Sequence, residues 1–585
     1  MRYHLLATDY DGTLAHDGRV DEKTIASLER LRETGRRLVL VTGRELPELL
    51  NIFPEIHLFD LVVAENGALL YRPATKEERV LHAPPPPALV KTLRQRGVQP
   101  ISVGRVIVAS WRPHENTILE VIRDLGLEMQ VIFNKDAVMV LPSGVNKATG
   151  LAAALAELEF SAHEVVGIGD AENDHAFLTL CECAVAVANA LPSLKERADC
   201  VTGGDHGKGV AELVDRLVKD DLKDLEGKLT RHLLEVGVRT DGSPVALKPF
   251  GSSVLIAGPS GSGKSTAATS ILERIAEHHF QYCIVDPEGD YEGLEGVLTI
   301  GTAERGPTAE EILHALGSPN QNVVVSLLGL PLADRPSFFL AFLPRLLEMR
   351  ARWGRPHWII LDEAHHLLPV NWKPGPDILL RHAERLVFIT VHPDQIAAAA
   401  LVDIDTMIAV GAQAAETIAR FCKTAGLKQP RRLGETPPGK VVVWSPGHDP
   451  ALVELRPSKI ERRRHRRKYA LGELPPEASF YFKGPDNKLN LRAQNLILFL
   501  QIADGVDDAT WLHHLGAGDY SDWFRKRVKD EALADEAAKI EQDADLSASE
   551  SRARMRALIE RFYTWPAAPT PPLLPMPGTA AEPRR

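Results

Sequence analysis

The sequence predicts two α/β units with parallel sheets, an α+β module inserted in the first unit, and a small, mostly helical C-terminal module. Short apolar stretches alternate with amphipathic helical stretches up to about residue 218, for example in YHLLATD, TIASLERLRETG and RLVLVTG. The same alternation starts again near SSVLIAG and fades near residue 456. Because strands that alternate with helices usually pair in parallel, both regions predict βαβ units.

Length and composition agree with several globular units. The chain has 585 residues, and at about 150 residues per domain three or four units are expected. Hydrophobic residues make up 44% of the chain and charged residues 25%, which is typical of globular proteins. The net charge of −11 excludes a global attraction to nucleic acid, so only a local basic segment could bind it.

Cysteine content and hydropathy indicate the cellular compartment of the protein. The five cysteines make neither a disulfide framework nor two pairs of zinc ligands, which predicts a reducing cytoplasm. The first residues, MRYHLLATDYDG, do not fit a cleavable signal sequence with its longer apolar region. No stretch approaches the ~18 consecutive apolar residues of a membrane-spanning helix. We therefore expect a cytoplasmic protein with no membrane partner.

Between Leu81 and Leu141 the order of elements departs from the βαβ pattern. A proline run, a helical stretch, RVIVAS, a second helix beginning at Glu115, and the strand-like EMQVIF and AVMVLP follow one another. This order predicts an inserted α+β module over approximately residues 81–142. A charged helical stretch, VDRLVKDDLKDLEGKL, then leads into the second unit.

Acidic residues at two strand ends of the first unit predict a magnesium site. Asp9 and Asp11 follow the first strand in DYDGT, and Asp170 and Asp174 follow EVVGIG in GDAEND. Open α/β folds place ligands at the carboxyl edge of the sheet, and carboxylates this close repel each other unless a cation lies between them. Magnesium prefers such oxygen ligands.

Two further residues of this unit could hold a transferring phosphoryl group. Thr42 ends a strand in LVLVTGR, and Lys147 begins a helix in GVNKATG. A hydroxyl and an ammonium group are the donors that this chemistry needs.

The motifs DYDGT, VTGR, an isolated Lys and GDAEND, in this order, resemble the haloacid dehalogenase superfamily of phosphatases. The resemblance covers about residues 1–218, and it implies a Rossmann-like domain whose insert is a C2-type cap. It implies that Asp9 is the nucleophile that forms an aspartyl phosphate and that Asp11 is the acid and base.

The resemblance also implies which residues bind the substrate and the metal. The phosphate would be held by Thr42 and Lys147. Asp170 would bind magnesium with Asp9, and Asp174 and Asn173 would complete the shell, while the residue pattern alone also places Asp11 among the magnesium ligands. The cap would select the phosphomonoester, and its sequence has no motif that identifies it.

The second unit begins with a nucleotide-binding motif. GPSGSGKST lies between the strand SVLIA and the helical AATSILERIAEH, which is the setting of a P-loop. Its backbone N–H groups would face the phosphates of ATP, Lys264 would reach the β and γ phosphates, and the Ser265 hydroxyl would bind Mg2+. The predicted ATP ligands are Gly258, Gly261, Gly263, Lys264, Ser265, Thr266 and Asp362.

WIILDEAHHLLP predicts a Walker B element. Asp362 would hold magnesium through water, and Glu363 would polarise a water for attack on the γ phosphate. Because a kinase does not need that water, the acidic pair favours hydrolysis. Adjacent side chains on a helix diverge, so His365 and His366 are predicted to pack or to be solvated. No LSGGQ-like signature lies between the two motifs, which argues against an ABC-type ATPase.

CIVDPEGDYEG, together with GSGKST and LDEAH, resembles the HerA and FtsK group of hexameric ATPases over about residues 228–456. The resemblance implies a RecA-like domain, a homo-oligomeric ring and an arginine finger from the neighbouring subunit, with Arg381 and Arg385 as candidates. Many members translocate DNA, so nucleic acid is a candidate partner. Relatives often carry a polar sensor after Walker B, where this chain has Val391 beside His392. Slow or regulatory hydrolysis is therefore an alternative to motor activity.

The rest of the chain divides into three segments. Residues 457–468 contain ERRRHRRK, a basic linker or an exposed arm that could contact phosphates. Residues 469–565 are rich in helix formers and aromatics and are predicted to form an interaction or regulatory module, and residues 566–585 are predicted to be disordered. Within residues 469–565, the spacing of the aromatic side chains suits a helical core, and we predict that Trp511, Tyr520, Trp523 and Phe524 form this core. A metal site at His513, His514 and Asp519 is the alternative for the paired histidines.

Together these observations predict a bifunctional protein: a magnesium-dependent phosphomonoesterase fused to a HerA-like ATPase that acts in nucleic-acid processing. Two alternatives remain. One is a polynucleotide or sugar kinase and phosphatase, against which Glu363 and DPEGDY argue. The other is a scaffold in which ATP controls only assembly and the phosphatase alone is active.

Overall fold

The computed structural model describes residues 1–134, 136–259, 262–371, 384–430, 434–458, 474, 476–485, 487–528, 530–543 and 545–562. These residues form two compact units, Met1–Pro457 and Ser458–Arg585. Four of the predictions lie outside the described residues: those for Gly261, Arg381, the basic run 461–468 and the tail 566–585. Within the described ranges, no helix is both long and apolar enough to cross a membrane.

The first α/β domain has an eight-stranded sheet and a separate four-stranded sheet. Its strands are β1 (Leu5–Thr8), β2 (Arg37–Val41), β3 (Leu61–Ala64), β4 (Leu69–Arg72), β5 (Glu77–Val80), β6 (Ser102–Val103), β7 (Val108–Trp111), β8 (Met129–Asn134), β9 (Ala137–Pro142), β10 (Val165–Gly169), β11 (Cys183–Ala186) and β12 (Cys200–Val201). Its helices are α1 (Glu22–Glu33), α2 (Leu46–Ile52), α3 (Pro87–Gln95), α4 (Glu115–Asp124), α5 (Lys147–Leu158), α6 (His175–Leu180), α7 (Pro192–Arg197) and α8 (His206–Asp220).

The larger sheet has the order β12-β11-β10-β1-β2-β3-β4-β5. β1 is buried along its length and pairs in parallel with β10 and β2, with Thr8 opposite Ile168 and Leu40. The residues that follow these three strands therefore meet at one edge of the sheet. This edge carries DYDGT, VTGR and GDAEND.

The inserted module is a cap, formed by α3 and α4 on the four-stranded sheet β6-β7-β9-β8. Within RVIVAS the strand begins only at Val108. The backbone N–H groups of Arg105, Val106 and Ile107 donate to the Glu65 carboxylate instead of to a neighbouring strand. This contact fastens the cap to the larger sheet's domain.

The second α/β domain has an eleven-stranded sheet of order β14-β13-β23-β22-β21-β15-β20-β19-β16-β18-β17. Its strands are β13 (Leu234–Arg239), β14 (Pro244–Leu247), β15 (Val254–Ala257), β16 (Tyr282–Asp286), β17 (Val297–Ile300), β18 (Asn322–Ser326), β19 (Trp358–Leu361), β20 (Leu386–Thr390), β21 (Thr406–Val410), β22 (Lys440–Trp444) and β23 (Ala451–Leu455). Its helices are α9 (Lys264–Glu277), α10 (Ala309–Leu316), α11 (Arg335–Trp353), α12 (Ala364–Leu367), α13 (Ala398–Leu401) and α14 (Ala414–Ala425). The strands from β21 to β17 in this order are parallel, which confirms the predicted α/β class.

The charged stretch between the two domains is not one continuous helix. α8 ends at Asp220, and Asp221 and Leu222 both adopt left-handed backbone conformations. The Asp221 carboxylate accepts hydrogen bonds from the Arg36 guanidinium and the backbone N–H of Tyr3. These contacts to the start of the first sheet end the helix earlier than the sequence pattern predicts.

The two α/β domains contact each other through the amino edges of their sheets. His357, which precedes β19, lies 2.6 Å through Nε2 from Glu164 Oε1, just before β10. Arg355 donates to the Glu159 carbonyl oxygen at 2.6 Å, and the Arg2 guanidinium lies 4.0 Å from the ring centroid of Phe250. The two carboxyl edges therefore face in opposite directions.

The second unit is mostly helical, as predicted, with an antiparallel pair of strands at its start. The elements are β24 (Phe480–Phe482), β25 (Leu491–Ala493), α15 (Leu496–Gly505), α16 (Asp508–Ala517), α17 (Asp519–Trp523), α18 (Glu531–Glu541) and α19 (Ala548–Phe562). The aromatic core is confirmed, because Trp511, Tyr520, Trp523 and Phe524 are all buried.

The paired histidines of this unit have a structural explanation. His514 Nδ1 donates to Asp519 Oδ2 at 2.7 Å, and Nε2 accepts from the backbone N–H of Lys483 at 3.0 Å. Both ring nitrogens of His514 are therefore engaged, and the alternative of a metal at this residue is not supported.

Candidate active sites

Three carboxylates and one ammonium group meet at the carboxyl edge of the first sheet. Asp9 follows β1, whereas Asp170 and Asp174 follow β10, and their nearest carboxylate oxygens lie within 4.8 Å of one another. Lys147 Nζ, at the first residue of α5, lies 2.5 Å from Asp9 Oδ1 and 2.5 Å from Asp174 Oδ1. All four side chains are buried, so their charges interact with little screening by water.

Burial and mutual repulsion disturb the ionisation of this group. Burial, and after it the charge of Asp174, raises the pKa of Asp9 well above its ordinary value. Burial alone would lower the pKa of Lys147, but Asp174 and Asp9 raise it above its usual range. Three carboxylates against one ammonium leave an excess of negative charge, and all the donors are hard oxygens. The group therefore fits a magnesium ion.

The Asp11 side chain does not join this group. Its two carboxylate oxygens accept hydrogen bonds from Arg44 Nε and NH2, each at 2.7 Å, and Arg44 also pairs with Glu48. Sequence analysis assigned Asp11 to the magnesium ligands, but the paired guanidinium holds its carboxylate apart from Asp9, Asp170 and Asp174. Arg44 is the last residue of the VTGR motif. The basic residue of this motif is therefore the feature of the sequence that could have predicted the contact with Asp11.

Small residues and amides shape the space around these groups. A Cβ atom on Gly12, which has φ +85, would lie 2.3 Å from Asp170 Oδ2, so only glycine lets this loop approach the carboxylate. Thr42 is buried directly after β2, and its Oγ1 accepts from the backbone N–H of Arg44 at 3.1 Å. Asn173 Nδ2 donates to Asn66 Oδ1 at 3.1 Å, which joins the GDAEND loop to the turn after β3.

The cap approaches this site through Glu65, a residue that sequence analysis missed. Glu65 is fully buried, and its carboxylate accepts three cap N–H groups at 2.8–3.0 Å. On the cap sheet, Met139 Sδ lies 3.5 Å from where a Cβ atom on Gly43 would be, beside Thr42. The cap therefore lies close to the predicted phosphate-binding residues.

We expect Glu65→Gln to loosen the cap. The variant replaces a charged acceptor by an amide whose NH2 group faces N–H donors, at a cost of about 2 kcal/mol. KM for the best small substrate should rise several-fold, with little change in the hydrolysis of p-nitrophenyl phosphate at saturation. Glu78→Gln, which removes a half-exposed partner of Arg105, is the matched control. Equal steady-state kinetics for both variants would contradict this role of Glu65.

The second candidate site lies at the carboxyl edge of the second sheet. β15 leads through Gly258 and Pro259 to the end of the phosphate-binding motif, where Gly263 has φ +99 and α9 begins at Lys264. Lys264 Nζ donates to the Pro259 carbonyl oxygen at 3.0 Å, and burial lowers its pKa. Ser265 and Thr266 follow in the first turn of α9, as the P-loop prediction requires.

Asp362 and Glu363 follow β19 at the same edge. Burial, and after it the charge of Asp286, raises the pKa of Asp362 well above its ordinary value. Asp286 itself accepts the backbone N–H groups of Glu288 and Tyr291 at 3.1 and 2.7 Å. The DPEGDY element therefore forms a loop that is ordered around Asp286, next to Asp362.

His365 has a polar role that sequence analysis did not predict. Its Nδ1 lies 3.0 Å from Thr390 Oγ1 and 3.3 Å from Glu363 Oε2, and burial lowers its pKa to about 4, so the ring is neutral near pH 7. Thr390 ends β20, which lies between β15 and β19 in the sheet. For the polar sensor after Walker B, sequence analysis considered Val391 and His392. It did not consider Thr390, the polar residue directly before Val391.

Arg385 cannot be the arginine finger. It precedes β20 at the amino edge, opposite the nucleotide motif, and its guanidinium lies 5.0 Å from the ring centroid of Phe250. Its side chain is partly buried beside the first domain, and this burial lowers its pKa to about 10.

Comparisons with known proteins find similar families for parts of both α/β domains. The family model for haloacid dehalogenase-like hydrolases matches residues 6–101 and 114–214, and the model for the central domain of the helicase HerA matches residues 234–334. A phosphoglycolate phosphatase of Methanothermobacter thermautotrophicus is 32% identical over 36% of this chain and 98% of its own length. The phosphoglycolate phosphatase of Haloarcula marismortui is 33% identical over 36% and 95%. Phosphoglycolate phosphatase 2 of Saccharolobus solfataricus is 28% identical over 37% and 92%.

Proposed function

The chain belongs to the haloacid dehalogenase-like hydrolases through its N-terminal domain, and on this premise we propose that residues 1–218 hydrolyse a small phosphomonoester with Mg2+ through a phosphorylated Asp9. The observation that carries the proposal is the buried group in which Lys147 bridges Asp9 and Asp174 at 2.5 Å. In this arrangement Asp9 has one oxygen fixed by Lys147 and the other available to attack phosphorus.

The buried group and the neighbouring residues Asp11 and Thr42 have separate roles in this proposal. Asp9 attacks the phosphorus, and the P–O bond to the leaving group breaks. Asp11, oriented by Arg44, gives its proton to the leaving oxygen and then takes a proton from the water that cleaves the aspartyl phosphate. Thr42 and Lys147 donate to the phosphoryl oxygens. A magnesium ion on Asp9, Asp170 and Asp174 would neutralise charge on the transferring group.

We propose a short phosphorylated acid as the substrate. The similar proteins are phosphoglycolate phosphatases, and the approach of Met139 on the cap to Gly43 favours a compact leaving group over a polymer. A substrate screen with phosphoglycolate, sugar phosphates, nucleotides and 3′-phosphorylated oligonucleotides tests this. The highest kcat/KM is expected for phosphoglycolate, and all activity should disappear with a chelator and return with Mg2+. Faster hydrolysis of the oligonucleotide would overturn the substrate assignment and favour nucleic-acid end repair.

We further infer that residues 228–456 hydrolyse ATP. Lys264, Asp362 and Glu363 would act on the γ phosphate, and the position of Glu363 beside Asp362 at the carboxyl edge of the sheet supports hydrolysis, because this carboxylate would polarise water. Gly258, Gly263, Ser265 and Thr266 would bind the remaining phosphate oxygens and Mg2+. The ring assembly, the nucleic-acid partner, the domain limits given above and the cytoplasmic location stay predictions.

ATP turnover should depend on Lys264. We expect Lys264→Ala to lower kcat for ATP hydrolysis by at least about 100-fold, since the ammonium group stabilises charge that develops on the γ phosphate. Phosphatase activity of the same variant should equal that of the parent, which serves as the folding control. Unchanged ATP turnover would contradict the assignment. Transfer of labelled γ phosphate to a 5′ hydroxyl would favour the kinase alternative, and nucleotide-dependent size without turnover would favour the scaffold.

A further inference from the structure

Two histidines and a glutamate from distant parts of the chain meet where the two α/β domains touch. His163 lies in the short 3-10 helix before β10, Glu182 directly precedes β11, and His232 lies two residues before the start of β13. One ring nitrogen of each histidine and one Glu182 oxygen lie within 4.8 Å of one another. Neither proposed active site includes these residues, because they lie at the amino edges of the sheets.

The hydrogen bonds of His163 fix which ring nitrogen faces the cluster. Its Nε2 lies 2.8 Å from the carbonyl oxygen of His278, which can only accept, so Nε2 carries a proton. Nδ1 lies 2.8 Å from Glu182 Oε2. In a neutral imidazole this Nδ1 holds a lone pair, which would face the carboxylate unless a cation lies between them.

His232 contacts the same Glu182 oxygen as His163. Its Nδ1 lies 2.7 Å from Glu182 Oε2, so two imidazole nitrogens converge on one carboxylate oxygen. The other oxygen, Oε1, accepts from Arg2 at 3.2 Å.

Packing holds the rings in this converging orientation. His163 stacks on Phe280 with ring centroids 3.7 Å apart and an interplanar angle of 18°, and its ring is nearly perpendicular to that of His232, at 85°. His163 and Glu182 are buried, whereas the His232 side chain is 21% exposed, which gives a path from solvent. A backbone carbonyl on the far nitrogen is the arrangement that orients histidine ligands in metal sites.

We propose that His163 Nδ1, His232 Nδ1 and Glu182 Oε2 bind a divalent transition-metal ion, with zinc as the best match, at the junction of the two domains. Two imidazoles and one carboxylate suit zinc, whereas magnesium prefers an all-oxygen shell. Bonds of about 2.0–2.2 Å to a tetrahedral ion separate neighbouring ligand atoms by ~3.4 Å, so small side-chain movements suffice. A water on the exposed side of His232 would complete the shell.

The three ligands of this site come from both sides of the junction between the domains. His163 and Glu182 belong to the first sheet's domain, and His232 to the segment that enters the second sheet. The carbonyl of His278 and the ring of Phe280, from the second domain, fix the orientation of His163. An ion bound here would join the two domains without touching a predicted catalytic residue.

Metal binding to the untagged, metal-stripped full-length protein tests the proposal. In excess Mg2+, which occupies the carboxylate group around Asp9, Co2+ should give visible d–d bands of a low-coordinate, nitrogen-ligated ion, and Zn2+ should displace it at about one ion per chain. Zn2+ should also raise the melting temperature. Absence of these Co2+ bands in the parent protein would overturn the proposal without any variant.

Two variants and a control assign the ligands. His232→Gln, at the partly exposed position, and Glu182→Gln should each weaken Zn2+ binding by at least about 10-fold and lose the cobalt bands, while p-nitrophenyl phosphate hydrolysis stays at the parent rate. His279→Gln removes an exposed histidine nearby and should bind like the parent. If His232→Gln binds Zn2+ as tightly as the parent, the cluster is a proton-linked ion pair rather than a metal site.

Discussion

Replacement of Asp9 by asparagine should abolish phosphatase activity while leaving the fold intact. The amide has no anionic oxygen to attack phosphorus, so kcat for p-nitrophenyl phosphate should fall by at least about 10⁴-fold. Asp17→Asn changes an exposed carboxylate on the same loop and should keep the parent rate. Parent-level activity in Asp9→Asn would exclude the aspartyl-phosphate mechanism.

The stability of the same variant has a predictable sign. The pKa of Asp9 in the folded protein lies above its unfolded value of 3.8, so the folded state binds more protons over the range between these values. The stability that Asp9 contributes is therefore fully present below pH 3.8 and is lost as pH rises through the folded pKa. Asparagine cannot ionise, so without Mg2+ the variant should be at least as stable as the parent at neutral pH. Chemical unfolding at several pH values measures this, and a large loss of stability would mean that the missing activity is a folding defect.

A quench experiment separates the two chemical steps. If Asp11 activates the water that cleaves the aspartyl phosphate, Asp11→Asn should accumulate labelled phosphoprotein when it is mixed with labelled substrate and quenched in acid. Asp9→Asn should accumulate none. Label in neither protein would place the nucleophile elsewhere.

The parallel-strand pattern predicted the convergence of Asp9, Asp170 and Asp174, because residues that follow neighbouring parallel strands must meet at one edge. It could not predict that Lys147 bridges Asp9 and Asp174, or that Arg44 takes Asp11 away from them. Those contacts depend on side-chain rotamers and on the exact turn of each loop. The start of β7 at Val108 depends on a similar contact, since Glu65, 40 residues before Arg105, accepts hydrogen bonds from the N–H groups of the segment that precedes this strand.

The contact between the two domains leaves no pattern in the sequence. His163, Glu182 and His232 lie in short connecting segments before strands, and nothing in their spacing distinguishes them from the other histidines and glutamates of the chain. The orientation of the domains matters for function, because the two carboxyl edges face apart. β1 and β15 each span about 13 Å, so the predicted ATP site and the phosphatase site cannot exchange a bound phosphate directly. Any coupling must pass through the amino-edge contact.

Loss of the Lys147 charge should produce the largest effect on stability. The Lys147 side chain is 1% exposed, and its single positive charge lies beside two of the three buried carboxylates. Lys147→Met keeps the apolar length of the side chain but leaves these carboxylates uncompensated, at a cost of about 3–5 kcal/mol in the absence of metal. Lys91→Met, at an exposed position of α3, should cost little. Urea unfolding of both variants with a chelator present measures the difference.

Magnesium and pH distinguish charge balance from packing as the cause of that loss. Because uncompensated carboxylates bind a cation, Mg2+ should raise the unfolding free energy of Lys147→Met more than that of the parent. The carboxylates of the variant should also take up protons more readily, so its deficit should shrink as the pH falls and grow as the pH rises. Activity should stay at least about 100-fold below the parent even with Mg2+, since no donor replaces the ammonium at the phosphoryl oxygens. A deficit independent of both pH and Mg2+ would show that Lys147 stabilises the fold through packing, and the charge-balance account of the site would then be wrong.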